Sequence, residues 1–361
     1  MKSVFLLGIV CALLLAPFNV MAETVDIVRG QILEVKSQET KPDLISNRPV
    51  INQRLEAEII EGPQSGKRIE LDNDYQPFKK GDKLYIRHIV YEGVTENYAI
   101  EDSYRLESLY LFLVLFIVVV LLFGGIQGVR GLLSLVGSMI LIVYVLLPQL
   151  FQGHSPILVS TAVSALIVIL GSYITHGFNK TTTSAVIGMI ITLAVVAGLA
   201  YYAVGAAKLS GFEAEESIYL SLDTKGGIDM QGLLLGGIMI GLLGILYDVA
   251  IGQAVAIEEL SQVGYRLSRK EVYIRGLRMG REHIGALVNT LAIAYVGASL
   301  PLFLLRFYSY NQPAHLIVNS EIFATEIIRI LIGSIGVVLA VPITTLIAVL
   351  RLPALSENVV H

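Results

Sequence analysis

The sequence predicts an α-helical polytopic membrane protein of about seven spans, preceded by a small N-terminal β-barrel-like extracytoplasmic domain. Three observations predict it. Hydrophobic residues make up 54% of the 361 positions and charged residues only 16%, with a mean hydropathy of +0.69. A soluble domain carries about a quarter charged residues, so this deficit points to membrane spans. The chain also opens with a leader-like segment, and a polar stretch of ordinary composition then precedes an almost unbroken series of apolar runs.

Residues 1–22 read as a secretory signal peptide: Lys2, an apolar run from Val4 to Ala16, and Val20-Met21-Ala22 ahead of Glu23. The plainer alternative is an uncleaved N-terminal anchor, although the run is short for a span. Cys11, the only cysteine, lies inside this segment. The processed chain is therefore expected to have no disulfide, thiol chemistry or cysteine metal site.

Residues 23–105 form the extracytoplasmic domain. Val25–Lys36, Gln53–Glu61, Arg68–Leu71, Leu84–Tyr91 and Tyr98–Glu101 read as strands, with turn clusters at Gly62–Gly66 and Phe78–Asp82. Five short strands in about eighty residues suggest a barrel of OB or SH3-like type. Such barrels bind ligands, but serving as a spacer or as a docking module for an envelope partner is the plainer reading.

Residues 106–351 form the transmembrane domain, with spans expected near 108–125, 132–150, 156–175, 182–205, 231–256, 283–305 and 322–350. With the mature N-terminus outside, the inner loops hold Arg130, Lys180, Arg266, Arg269, Lys270, Arg275, Arg278, Arg281 and Arg351. The outer loops after the first span hold Lys208, Lys225 and Arg306. That positive-inside bias agrees with the leader and places the 352–361 tail in the cytoplasm of a bacterial cell, below its inner membrane. Within the outer loop Lys208–Gly227, the partly amphipathic stretch Phe212–Leu222 suits a membrane surface or a face of the β domain. The basic segment Gln262–Glu282 suits a cytoplasmic helix on anionic lipid, though topology-setting charge is the simpler account.

No P-loop, dinucleotide fingerprint, nucleophile elbow or zinc-protease motif occurs, and the six histidines lack metal-ligand spacing. Neither an enzyme nor a cofactor is expected, and the small net charge of −4 argues against a nucleic-acid partner. Polar residues inside spans are costly and so become the functional candidates. Gly237, Gly241, Gly244, Asp248 and Gly252 share one helical face of the fifth span, where small residues admit a neighbouring helix. Asp248 is then either an ion- or proton-binding carboxylate or a buried clamp between helices. The sixth span carries Asn289 and Thr290, which can equally serve as interhelical hydrogen-bonding groups. In the seventh, Glu326 and Arg329 can pair at i,i+3, and Gly333 and Gly336 continue a packing stripe. Pro342 is expected to bend that helix beside Thr344 and Thr345. At 1.5 Å per residue Asp248, Asn289, Thr290 and the Pro342–Thr345 segment fall at a similar depth, about 25 Å from the outer end of the fifth span.

Several segments carry a family resemblance: Tyr247-Asp-Val-Ala-Ile251, Gly280-Arg-Glu-His283, Asn289-Thr-Leu-Ala-Ile-Ala-Tyr295, Gly333-Ser-Ile-Gly336 and Ala340-Val-Pro-Ile-Thr-Thr345. With Gly62-Pro-Gln-Ser-Gly-Lys67 in the β segment, they resemble the YibE/F family of bacterial membrane proteins. The resemblance implies a multi-pass fold but no defined activity. The order of the carboxylate, basic, Asn/Thr and Gly/Pro segments also resembles the second half of SecF-type and other RND-type permeases, which couple to protons through intramembrane acidic groups. The missing long outer loop after the first span departs from that pattern. The expected function is therefore a membrane permease or export factor, ion- or proton-coupled through Asp248. The alternative is a non-transporting scaffold whose residues 23–105 bind an envelope partner.

Overall fold

The computed structural model describes residues 26–42, 49–74, 76–90, 96–213, 215–263, 267–309 and 313–351. The expected signal peptide and C-terminal tail lie outside the described residues. The chain divides into two compact units, residues 1–123 and 124–361.

In the first unit, five antiparallel strands form one curled sheet: β1 (Asp26–Pro42), β2 (Pro49–Ile59), β3 (Arg68–Asn73), β4 (Lys83–Val90) and β5 (Glu96–Ser103). Their order is β3-β2-β1-β4-β5. The long β1 is shared, pairing β4 over Asp26–Gln31 and β2 over Gly30–Pro42. Register shifts at Ile32/Glu34 and Val35/Ser37 bend it, as extra residues in one strand do. Alternation is cleanest in β3, whose residues are exposed and buried in turn. The inward set, Ile32, Leu55, Ala57, Ile59, Leu71, Leu84 and Ile86 among them, forms the core. The expected closed barrel is instead a half-barrel, because β3 and β5 are edge strands that approach without a hydrogen-bonded ladder. Side chains bridge part of that seam: Lys67 donates to the Tyr98 hydroxyl at 2.8 Å, and that hydroxyl donates to Gln64 at 2.6 Å.

Helix α1 (Leu106–Leu141) contributes to both units and is interrupted at Gly125, whose φ of 52° and ψ of −135° are not helical. A positive φ is one that glycine adopts without strain. A π-helical turn (Ile142–Leu146) and α2 (Leu147–Phe151) extend α1 into a 46-residue run. It is followed by α3 (Pro156–His176), α4 (Lys180–Ala206), α5 (Glu215–Asp223), α6 (Met230–Val263), α7 (Arg269–Ala298), α8 (Leu300–Ser309), α9 (Ala314–Asn319) and α10 (Glu321–Arg351). Pro156 opens α3, the Asn179 side chain caps α4 through Thr182 N at 2.7 Å, and Ser268 with Glu271 forms a capping box on α7.

Among the described residues five helical runs are long and apolar enough to cross a membrane: Leu106–Phe151, α3, α4, α6 and α10. The expected first two spans fall within one run, and the expected sixth is divided between α7 and α8. The charged residues of its first half keep α7 out of the five.

In the second unit α10 is the hub, packed on α4, α6 and α7. Its core joins Met189, Leu193 and Val196 of α4 to Ile238, Met239, Leu242 and Leu246 of α6 and Val337, Ala340 and Val341 of α10. Gly333 and Gly336 permit this closeness: a Cβ on Gly333 would lie 2.8 Å from Leu291, and one on Gly336 2.7 Å from Val196. The α6 glycines behave differently. Gly237, Gly241, Gly244 and Gly252 lie on the exposed face, and of these only Gly241 meets a neighbour, the Tyr295 hydroxyl. The face of α6 that packs is its large apolar one, where Gly236 lies against Ser160. Pro342 lies inside α10, which stays helical on both sides of it. On either side of the proline, Val341 packs against Gly280 of α7 and Thr344 against Gly188 of α4.

Candidate functional site

Three helices, α6, α7 and α10, line a partly open cavity of about 320 Å3 in the second unit. Its polar lining is Asp248 and Gln253 from α6 and His283 from α7. Asp248 lies on the exposed side of α6 and makes no hydrogen bond or ion pair among the described residues. Tyr247, its neighbour in the sequence motif, faces a separate and mostly apolar cavity of about 400 Å3 between α1, α3 and α6. One turn of α6 thus serves two different spaces.

Gln253, which no pattern in the sequence marks, organises the floor of the Asp248 cavity. It is only 6% exposed. Its amide nitrogen donates to the Gly276 carbonyl at 2.8 Å and to Thr345 Oγ1 at 2.7 Å. Thr345 in turn donates to the Val341 carbonyl at 2.6 Å. One side chain therefore ties α6 to both α7 and α10. The approach depends on Gly276 and Gly280, since a Cβ on Gly280 would meet Val341 and lie 3.0 Å from Gln253 Oε1.

The sequence candidates separate accordingly. Asp248 lines the cavity, as does Val341, the residue before Pro342. Thr345 sits directly behind Gln253, fully buried. Thr344 is fully buried too, but its hydroxyl faces Gly188 and has no hydrogen-bond partner. Asn289 and Thr290 are exposed and do not line the cavity, and Thr290 Oγ1 donates back to the Ala286 carbonyl at 2.9 Å. Equal depth did not bring them to Asp248 because their side chains leave α7 beyond the turn that carries Ala286 and Leu287. Glu258, further along α6, accepts from Thr181 Oγ1 at 2.7 Å and ties α6 to the start of α4.

A second charged group lies near the other end of α10. Arg329 holds Glu326 at 2.7 Å, the i,i+3 pair the spacing suggests, and also Glu213 from the loop before α5 at 3.1 Å. Its guanidinium lies 5.8 Å from the centre of the Tyr295 ring. Glu321 fastens the same loop, accepting from Ser210 N at 2.6 Å and Gly211 N at 3.2 Å. Gly211 has a φ of +85° and its α-hydrogen side abuts the Met230 backbone, so no side chain fits there.

Burial raises the Glu213 carboxyl above the usual glutamate range; the Arg329 charge opposes that shift, while Glu326 and Glu321 add to it. A carboxyl raised in the folded state stabilises docking most below its unfolded pKa, and that contribution is lost as pH rises through the folded value. Mild acidification is therefore expected to slow amide exchange in residues 208–213 beyond the intrinsic pH effect, and Glu213→Gln should remove the difference. Protection independent of pH in the wild type would contradict this.

Among the described residues no three His, Cys, Asp or Glu side chains gather as a metal site. No curated protein and no solved structure matches the chain. A model of the YibE/F-like protein family matches residues 112–354. Because that match takes in every helix of the second unit and about two thirds of the sequence, the chain belongs to the YibE/F-like family.

Proposed function

We propose that the protein is a membrane permease or export factor in which Asp248 is the ion- or proton-coupling carboxylate. The observation that carries this reading is an uncompensated carboxylate on a polar-floored cavity between α7 and two helices of membrane-spanning character, α6 and α10. A charged group at such depth is expensive, and proteins retain it where ions or substrates pass. An anchoring role alone would need neither the cavity nor the amide that organises it.

The proposal includes seven crossings of a bacterial inner membrane, with the mature N-terminus outside and the C-terminus inside. The 46-residue run would measure roughly 69 Å if straight, against a hydrocarbon core of about 30 Å. Two crossings on either side of Gly125 use that length, and α7 with α8 supplies a further one. The half-barrel then lies outside, as an OB or SH3-like module able to meet an envelope partner, and the bilayer is the partner of the helices. The exposed apolar residues Ile218, Tyr219 and Leu222 of α5 suit a helix resting on the outer membrane surface. No bond-making chemistry is proposed.

Proteoliposomes carrying a trapped pH-sensitive dye test the reading. Wild-type protein is expected to move protons above the protein-free background, and Asp248→Asn to fall to that background at equal membrane abundance. Equal movement in both would overturn it. Loss of the folded protein in the variant would instead favour the clamp, and recovery of a specific envelope protein on the half-barrel, with no flux at all, the scaffold.

A further inference from the structure

We propose that the cavity between α6, α7 and α10 binds a compact monovalent cation, an alkali ion or a primary ammonium group, through the Asp248 carboxylate and the Gln253 side-chain carbonyl. This rests on the permease reading of the same cavity and names the class of ion or substrate it takes.

The argument begins with the orientation of the Gln253 amide. The Gly276 carbonyl can only accept a hydrogen bond, so the end of the amide facing it must be the N–H end. The second N–H goes to Thr345 Oγ1, whose own hydrogen is committed to the Val341 carbonyl. Both amide donors are thus consumed within protein. The carbonyl oxygen is left on the Gly280 side, and Gly280 is itself part of the cavity wall. That oxygen has no hydrogen-bond partner among the described residues, and it is not among the fully enclosed unpaired atoms, so it opens on the cavity. A glutamine that is 94% buried and held by three helices is therefore aimed, with its acceptor end, into a space that also holds an unpartnered carboxylate.

The chemistry of that pair selects the ligand. Two acceptor oxygens, one of them charged, repel an anion and attract a cation or a hydrogen-bond donor. A divalent ion asks for more oxygen ligands and usually more than one carboxylate, while the lining offers a single carboxylate. A transition metal would need imidazole or thiolate ligands in number, and the lining offers only His283. At about 30 Å3 per water molecule, a cavity of 320 Å3 has room for a cation that keeps part of its hydration, or for a small amine. A bare proton would need neither the volume nor the second oxygen.

Equilibrium binding tests this independently of transport. Thermal unfolding of the full-length protein in detergent would be followed in sodium, potassium or methylammonium chloride, with choline chloride holding ionic strength constant. A saturable rise in the midpoint with at least one of the three cations is expected, through linkage between binding and folding. Sodium or potassium alone would identify an alkali-ion site, and methylammonium alone an amine site. Asp248 has no protein partner to lose, so Asp248→Asn should keep the choline baseline and weaken the apparent affinity by roughly tenfold or more. Gln253→Met is expected to lower the baseline, and its informative readout is a reduced cation response above that baseline. Midpoints that follow ionic strength alone, or an unchanged cation response in Asp248→Asn, would overturn the proposal. Asp248-dependent proton flux without cation binding would leave the permease reading standing and this one refuted, and saturable binding with flux of neither protons nor the bound cation would do the reverse.

Discussion

Arg329→Met is expected to lower the stability of the folded protein by about 3–5 kcal/mol, the usual cost of stranding a buried ion-pair partner. Glu326 is only 8% exposed and the Glu213 side chain 18%, and the single Arg329 guanidinium pairs with both. Without the guanidinium two neighbouring carboxylates face each other in a poorly solvated site with no counter-charge. Arg329→Lys should recover only part of the loss, because an ammonium cannot serve two carboxylates with separate planar N–H groups. The informative comparison is a triple variant, Arg329→Met with Glu326→Leu and Glu213→Leu, which removes the charges together. It should be markedly more stable than Arg329→Met alone, since a buried ion pair replaced by apolar side chains is often close to neutral. Thermal unfolding in detergent reads all four proteins. An Arg329→Met midpoint equal to the wild type would show that solvent reaches the cluster freely.

The same cluster shows what a sequence can and cannot disclose. Glu326 and Arg329 are three residues apart on one helix, so their pairing follows from helical geometry. Glu213 is 116 residues from Arg329, and nothing local ties the two together. The β unit was legible because one face of a sheet meets water: alternation in Arg68–Asn73 marks the buried side directly. Its incomplete closure was not legible, since that depends on whether two edge strands meet.

In the membrane-type helices apolar side chains face lipid and protein alike, so periodicity no longer identifies the packed face. That is why the glycine stripe of α6 suggested a helix contact although the packed face carries Leu242 and Leu246. It is also why Gln253 carries no signal in the sequence. A lone glutamine near the end of a long apolar run looks like a solvated residue until its three-helix connection is seen. Asp248 stands out because charge within such a run is conspicuous in any register.

Gly188→Leu is expected to be among the most disruptive single substitutions in the second unit, through steric overlap alone. Gly188 lies where α4 meets the hub helix α10: a Cβ there would be 3.0 Å from Thr344 Cα and closer still to Thr344 Oγ1. The hydroxyl can turn or be removed, whereas the Cα belongs to a helix held from three sides. Even Gly188→Ala must therefore push α4 and α10 apart by a few tenths of an ångström. Overpacking of this kind costs about 1–3 kcal/mol, and a leucine, with three more carbons to place, should exceed that range. Thr344→Ala by itself should be nearly neutral, because the threonine hydroxyl is buried without a hydrogen-bond partner and its loss relieves that penalty. Combined with Gly188→Ala it should restore part of the lost stability, giving a favourable coupling in a double-mutant cycle. Flux provides the second axis of the test. If Thr344 served the Asp248 cavity, Thr344→Ala would impair transport at full stability. A stable, fully active Thr344→Ala protein is the outcome expected of a residue that faces Gly188, with Thr345, one position on, as the threonine that reaches the site through Gln253.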